Sequence, residues 1–414
     1  LKGKWVSIYN EESTMKLSGV ISSGTMDLDL SQFSYIKLFA QYLNFLRLEE
    51  YDEADGMLTL IGQVQRKYTP KDFLPSADKI RTEINYNNSS IFKKIMRYYL
   101  LIALILLFFA INHELNLHKK TVLRKVLIKW PIYILSACAV AVFAYHTYGL
   151  VIRWYLTGHA PWSNGYEALI FISWAAVLSG FIFLKYSKIV LPGAALIASI
   201  IIWVAGLETM DPQLTALVPV LKSYWLIIHV ACMTSSYGFF GLGAILGFII
   251  MFMMLFKTKK NGKRINLSVN GLTYINEMIV TIGLILAAIG TFLGGVWANE
   301  SWGRYWGWDA KETWALIIVI AYAMQLHFRF VPGFIKSKFF FNAWGSFVGF
   351  GVVCMTYFGV NYYFSNSIHS YAAGDPPGFP VWIWKTIGIV LLLVVLAGWG
   401  DNQVNKILSK KKIK

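Results

Sequence analysis

Charge is what this sequence has least of. Of 414 residues only 14% are Asp, Glu, Lys or Arg, while 56% are hydrophobic and 16% aromatic. A soluble domain normally carries about 25% charged residues. The mean hydropathy is positive, and the few charges cluster in short stretches that leave apolar runs of about 20 residues, the length that crosses a bilayer. A soluble globular class is thereby excluded. Acids are scarcer still, with 22 Asp and Glu against 38 Lys and Arg, for a net charge of +16. That surplus is spread over short loops between apolar runs, as the positive-inside rule expects. No separate basic domain exists to track a phosphate backbone, so nucleic acid is excluded as a partner. Cysteine is limited to Cys138, Cys232 and Cys354, far apart in apolar segments and without a CxxC spacing. This excludes a disulfide framework and a zinc site, and the three are expected to be buried small apolar residues. The chain begins at Leu1 without an initiator methionine or a leader-like stretch, so it is expected to be a processed product or one part of a longer polypeptide.

What is present divides in two. Residues 1–90 are polar, with alternating stretches at Met15–Val20, Thr25–Leu30 and Met57–Val64 and an Asp55-Gly56 turn signal. They are expected to form a small β-rich segment outside the membrane, leaning on other protein for stability. From Ile91 onward nine spans are expected, at about 95–112, 130–151, 165–184, 189–207, 224–256, 273–297, 312–330, 341–363 and 381–399. The fourth is short and carries Pro192, and the fifth is long. The fold class is an all-α polytopic membrane protein with about nine transmembrane helices, with the β-rich segment at its N-terminus.

Loop charge sets the orientation. The loops at 113–129, 185–188, 257–264 and 329–338 and the tail at 401–414 hold 20 Lys and Arg, and the alternate loops at 152–164, 208–223, 298–311 and 364–380 hold 4. Counting Lys93, Lys94, Arg97 and Lys385 with the second set raises it only to 8. The first set is expected to be cytoplasmic, which puts residues 1–90 outside and the C-terminus inside.

The densest chemical signal lies in the connection between the sixth and seventh spans, over residues 297–314. It holds Trp297, Trp302, Trp306, Trp308 and Trp314, five tryptophans within 18 residues. An interfacial aromatic belt is one reading. A belt, however, spreads its rings over many helix ends and needs neither the glycines nor the acids found here. Gly303 and Gly307 permit close backbone approach, and Asp309 and Glu312 suit the first turn of the next helix. Indoles bury large areas and stack on a π-face while keeping a polar handle, and Arg304 can pair with a carboxylate at a ligand's edge. A large, flat, apolar ligand with acidic edge groups fits this set, and haem has that shape.

Seven histidines complete the inventory. His229 lies near the outer end of the fifth span and His369 in the outer loop between spans eight and nine, both on the side of the Trp-rich loop. Two neutral imidazoles from separate elements can fill both axial positions of a haem iron. His159, also outside, is a competing ligand, although Asn164 and Glu167 beside it resemble a cap and a first-turn acid for the third span. His327 is 18 residues past Asp309, ~27 Å deeper along a helix at ~1.5 Å per residue. A polar side chain within a span points to function by default, yet a structural hydrogen bond beside Arg329 would serve equally. His146, His113 and His118 carry no assigned role.

Trp302-Gly303-Arg304-Tyr305-Trp306-Gly307-Trp308-Asp309, continuing to Glu312 and Trp314, resembles the WGxxWxWD signature of tryptophan-rich (WWD) haem-handling proteins. Residues 130–400 are similar to the CcsA (ResC) family of cytochrome c biogenesis proteins, an eight-helix domain with the Trp loop between its fifth and sixth spans. Residues 1–90 resemble the extracytoplasmic segment, and residues 91–112 the last transmembrane helix, of its CcsB (ResB) partner. The stretches 113–129 and 401–414 form a basic cytoplasmic linker and tail. The resemblance implies a fused holocytochrome c synthase (a cytochrome c haem lyase) of the bacterial inner membrane, with the N-terminal segment and Trp loop periplasmic. It implies that His229 and His369 ligate haem b on the Trp-rich face, with Trp302, Gly303, Arg304, Trp306, Trp308 and Asp309 around it. It also implies that His327 receives haem crossing from the cytoplasm, together with a second histidine on an early CcsB span that lies outside this sequence. The implied partners are an apocytochrome c bearing CxxCH, a thiol reductant, the rest of the CcsB-like protein and the lipid bilayer. Haem delivery to a chaperone, solute transport with the Trp loop as a gate, and a structural b-type haem subunit are the rival functions; the last needs ligand pairs within the spans, where only His146 and His327 qualify.

Overall fold

Long apolar runs can satisfy their backbone groups in lipid only as helices or closed barrels, and in the computed structural model of this chain every regular element among the described residues is a helix. It describes residues 35–68, 74–116, 122–207, 212–214, 223–333, 337–363 and 381–410. The chain divides into two units, Leu1–Asn85 and Tyr86–Lys414.

In the first unit α1 (Tyr35–Arg47) and α2 (Tyr51–Tyr68) close on each other through Leu38, Phe45, Ala54, Met57 and Val64. The strand expected at Met57–Val64 is therefore helix, and Asp55-Gly56 lies inside it rather than in a turn. Ala54, Met57, Ile61 and Val64 recur at three- and four-residue intervals and line one helical face, whereas the alternating pattern breaks at Gly62. Asp52 and Glu53 in the first turn and Arg66 and Lys67 in the last complement the helix dipole. No strand occurs among the described residues. The other two expected strands, 15–20 and 25–30, lie outside them. Helix α3 (Ala77–Ser89) follows across the boundary between the units.

The second unit contains α4 (Ile91–Asn116), α5 (Val122–Thr157), α6 (Gly165–Phe183), α7 (Val190–Ala205), α8 (Tyr224–Leu255), α9 (Gly262–Trp302), α10 (Ala310–His327), α11 (338–363) and α12 (Val381–Lys410). Eight of these are long and apolar enough to cross a membrane, against the nine spans expected: α7, in place of the expected span 189–207, has only 16 residues, short of the ~20 a crossing needs. Helix α8 is the axis, packed against α6, α7, α9, α11 and α12. Close approach needs small residues where there is no water to drive helices together. A Cβ at Gly238 of α8 would stand 2.7 Å from the Ile172 carbonyl oxygen of α6. Helix α9 has 41 residues, about 60 Å at ~1.5 Å per residue. It exceeds the 273–297 span expected from hydropathy because Ile265, Val269 and Leu272 keep one face of its basic start buried. Helix α11 is interrupted by two π turns, Gly345–Gly349 and Met355–Gly359, irregularities frequent at functional sites.

Buried polar pairs pin the bundle. Asn276 donates to Asn342 at 2.9 Å and Asn342 to Thr273 at 2.9 Å, joining α9 to α11, and Lys257 meets Asp401 at 2.6 Å, joining the end of α8 to α12. The cysteines are unpaired, as their spacing requires. Cys138, however, faces outward on α5 rather than being buried, and Cys232 and Cys354 are half-buried. An outward position in an apolar span needs only an apolar side chain, and a thiol meets that requirement.

Candidate functional site

The ends of α8 and α9, the start of α10, the α5–α6 loop and the far end of α11 meet at one end of the bundle around a cavity of about 340 Å³, a volume typical of ligand sites (~300–1,000 Å³). Trp162, Trp297, Trp302 and Trp306 form much of its wall, and His229 enters from α8. The imidazole is half-buried. Its Nδ1 lies 2.6 Å from the Gly290 carbonyl of α9. A carbonyl only accepts, so Nδ1 carries a proton, and in the neutral form of the ring the lone pair is on Nε2. A backbone carbonyl behind the ring is the arrangement that orients a metal-ligating histidine. Gly294 provides the space, since a Cβ there would stand 2.7 Å from both Cε1 and Nδ1 of the ring.

The Trp-rich loop folds back over α9. Gly303, with φ +70°, ends that helix in the left-handed conformation, and its N–H donates to Asn299 at 2.9 Å. A Cβ at Gly295 would come within 3.1 Å of the Tyr305 carbonyl, so the glycine lets the loop backbone lie on the helix. Trp297 is buried edge-on to Trp302 at 4.8 Å, and Trp306 meets Trp308 edge-on at 5.9 Å. Asp309 and Glu312 form a capping box at the start of α10. The glutamate does more than cap. One of its carboxylate oxygens accepts from Gly307 N–H at 2.7 Å and from Asp309 N–H at 3.3 Å, one on each side of Trp308. Trp308 has φ +57°, which costs an L-residue about 1–2 kcal/mol. Glu312 thus holds the strained residue from both flanks. Replacing Glu312 by Ala is expected to release the loop, seen as at least a tenfold faster tryptic cut after the exposed Arg304, for a loss of about 1.5–3 kcal/mol. An unchanged cleavage rate, mapped by mass spectrometry, would show that the loop holds without it.

The residues singled out by sequence separate as follows. His229, Trp302 and Trp306 line the cavity. Trp308 is exposed, Gly303 and Asp309 shape the loop from its two ends, and the Arg304 guanidinium lies over Gly307 rather than in the cavity wall. His327 ends α10, exposed, with Nδ1 donating to the Ala323 carbonyl at 2.7 Å, and Arg329 next to it pairs with Glu277 of α9. His327 lies twelve residues of helix beyond Ala315, the last residue of α10 that lines the cavity. His159 contacts the Ala160 carbonyl at 3.2 Å and does not line the cavity, while Asn164 caps α6 through Glu167 N–H at 2.8 Å, as its sequence context suggested. His369 lies outside the described residues.

Sequence reasoning missed Trp162, Tyr357, Asn361 and Lys311. Trp162 stands 4.5 Å from Phe171 and donates its indole N–H to the Ile227 carbonyl at 3.1 Å. Tyr357, on the second π turn, donates to the Gly165 carbonyl at 2.6 Å. Lys311 had a readable signal, a cation in the first turn of a helix. The buried Trp306 indole N–H has no hydrogen-bond partner among the described residues. Flat aromatic walls, an oriented imidazole and an unused donor fit a planar metal macrocycle with polar edge groups, and no group of three or more His, Cys, Asp or Glu that could hold a bare metal ion occurs among the described residues.

The helices define a multi-pass membrane protein with an aromatic cavity at one end of its bundle. The signature of the family described as cytochrome C assembly protein matches residues 162–368, half of the chain. Protein NrfI of Wolinella succinogenes is 40% identical over 309 residues, which are 74% of this chain and 33% of that protein. The cytochrome c biogenesis proteins CcsA of Chlamydomonas reinhardtii and Guillardia theta are 36% and 33% identical over 235 and 243 residues, which are 54% and 53% of this chain and 64% and 79% of theirs. The chain therefore spans a third of NrfI and just under two thirds of the Chlamydomonas protein. It belongs to the cytochrome c assembly family, whose members handle haem in cytochrome c biogenesis.

Proposed function

We propose that this chain binds haem in the cavity beside His229 and attaches it to the CxxCH motif of an apocytochrome c, as a holocytochrome c synthase. The observation that carries this reading is His229, with its proton held on Nδ1 by the Gly290 carbonyl inside a wall of four tryptophans. His369 would supply the second axial ligand. It follows Asn361, a cavity-lining residue, by eight positions, a stretch that reaches at most ~29 Å when extended. Each cysteine S–H of the apocytochrome adds across a haem vinyl double bond to give a thioether, an addition that balances without a further reactant. The residues of this chain have only to hold the ring still, present one edge and exclude water; a thiol reductant keeps the cysteines ready. Residues 1–112 are read as the CcsB-like part, a polar segment followed by one apolar helix. The membrane is the bacterial inner membrane, with the cavity periplasmic and the C-terminus cytoplasmic, and His327 receives haem during passage.

The test is co-expression of the full chain with a CxxCH reporter in cells lacking their own maturation proteins. Covalently haem-stained reporter and bis-histidine absorption bands in the purified chain are expected. His369→Ala should lose most of both, with partial recovery on adding imidazole. Unchanged haem content and maturation in that variant would overturn the ligand pair, and a purified chain without haem bands would favour a transporter.

A further inference from the structure

The cations at the end of the bundle opposite the cavity are not all matched to acids. Lys257 meets Asp401 and Arg329 meets Glu277, whereas Lys129 of α5 and Lys188 of the α6–α7 turn form no ion pair among the described residues. The two lysines nevertheless converge. The half-buried His113, near the end of α4, lies close enough to both for their charges to act on it. The Lys188 ammonium stands 5.9 Å from the ring centroid of Tyr133, one helical turn after Lys129 on α5. Glu114, the acid beside His113, is engaged by the Ser187 hydroxyl. Like charges drawn together from separate elements repel each other, and burial does not impose it, since Lys129 is exposed and Lys188 only half-buried. Beside them Trp130, Tyr133 and Tyr186 are exposed, rings of the kind that favour the boundary between headgroups and acyl chains. Farther along α5 the exposed surface is apolar, with Ile134 and Val140, while Ile132 packs with Leu106 of α4 and Leu191 of α7 behind it.

We propose that Lys129 and Lys188 hold the phosphate of an anionic phospholipid headgroup, with its acyl chains along the apolar outer face of α5. A phosphodiester supplies the negative charge that the two lysines lack, and each ammonium donates to its oxygens as a point charge. Basic pockets between membrane helices take headgroups in this way. The aromatic rings beside the lysines and the apolar surface next to them suit a lipid rather than a free anion. The lipid also has a structural part to play. Helix α5 packs mainly on α4 and little on α6, so a headgroup shared by Lys129 and Lys188 ties α5 to the α6–α7 turn.

The experiment titrates the purified full chain in detergent with phosphatidylglycerol and, separately, with phosphatidylcholine of the same acyl chains, and counts bound lipid by native mass spectrometry. The wild-type chain is expected to bind its first phosphatidylglycerol about tenfold or more tightly than phosphatidylcholine, the scale of two lysines at an anionic headgroup. Lys129→Gln combined with Lys188→Gln should remove that preference and leave phosphatidylcholine binding unchanged. Lys259→Gln combined with Lys260→Gln takes the same charge from an exposed turn between α8 and α9 and should keep the preference. Equal wild-type binding of the two lipids, or an equal loss of preference in both double variants, overturns the site. Displacement of the bound phosphatidylglycerol by inorganic phosphate overturns the lipid assignment in favour of a small anion. The wild-type comparison needs no variant, so it stands even where a double variant does not accumulate.

Discussion

The His229→Gly chain is expected to purify with almost none of the haem absorption of the wild type and to regain part of it in imidazole. Removing an outer-shell partner of a metal-bound histidine already costs about 10–100-fold in affinity, and here the ligand itself is lost. The carbonyl behind the ring allows a finer test that leaves the histidine in place. A Cβ at Gly294 would stand 2.7 Å from two ring atoms, closer than packing tolerates, so Gly294→Val must push the imidazole off the Gly290 carbonyl. A loss of haem affinity of about 10–100-fold is expected, the outer-shell scale, with the helical content intact. Gly271→Ala on the same helix, where a Cβ meets nothing within 4 Å, serves as the control and should bind haem normally. Full haem occupancy in Gly294→Val would mean that the ring orientation drawn from the Nδ1 contact is not the one that matters.

Arg153→Ala is expected to be the most destabilising single substitution in the membrane unit. The side chain is fully buried near the end of α5. Its Nε meets Glu167 at 2.7 Å, and the two terminal nitrogens reach the Pro212 carbonyl at 2.9 Å, the Gln213 carbonyl at 2.8 Å and the Tyr86 hydroxyl at 3.2 Å. The guanidinium also lies 5.1 Å from the Tyr166 ring centroid. Such a fork cannot be reproduced by lysine. Truncation strands a buried carboxylate, and breaking a buried pair from one side costs about 3–5 kcal/mol. A marked fall in the thermal midpoint in detergent, or failure to accumulate, is expected for Arg153→Ala, with a smaller defect when Arg153→Met is combined with Glu167→Gln. A single variant as stable as the wild type would show that the pair contributes little. The effect should extend to ligand binding, because Glu167 also accepts the Ser163 N–H at 3.0 Å and thereby holds the stretch that carries Trp162 into the cavity.

Glu167 also shows where sequence reading stopped. Its position three residues after Asn164 identified it as a first-turn acid, and the cap is there. That it also anchors a buried arginine 14 residues earlier is a tertiary fact without a local signature. The strand reading of Met57–Val64 failed for a related reason. A short stretch can satisfy two periodicities at once, and the neighbour that buries one face decides between them; here Leu38 and Phe45 of α1 fill that role. Lys311 was passed over in favour of Arg304 because charge type alone cannot say which cation is turned into a wall and which lies over a glycine.

By itself the sequence determined the solvent, the helical class of the apolar part, eight of its nine expected spans and the Trp-rich loop. Each of these depends on residues close together in the chain, where twenty apolar side chains or five indoles leave few alternatives. Only the tertiary structure decided that the His229 proton sits on Nδ1, that Glu312 holds Trp308 from both sides, that Trp162 closes the cavity and that Lys311 faces it. Those outcomes depend on backbone groups brought together across α8, α9 and α10, and a carbonyl such as Gly290 has the same composition in every protein until packing points it at a ring.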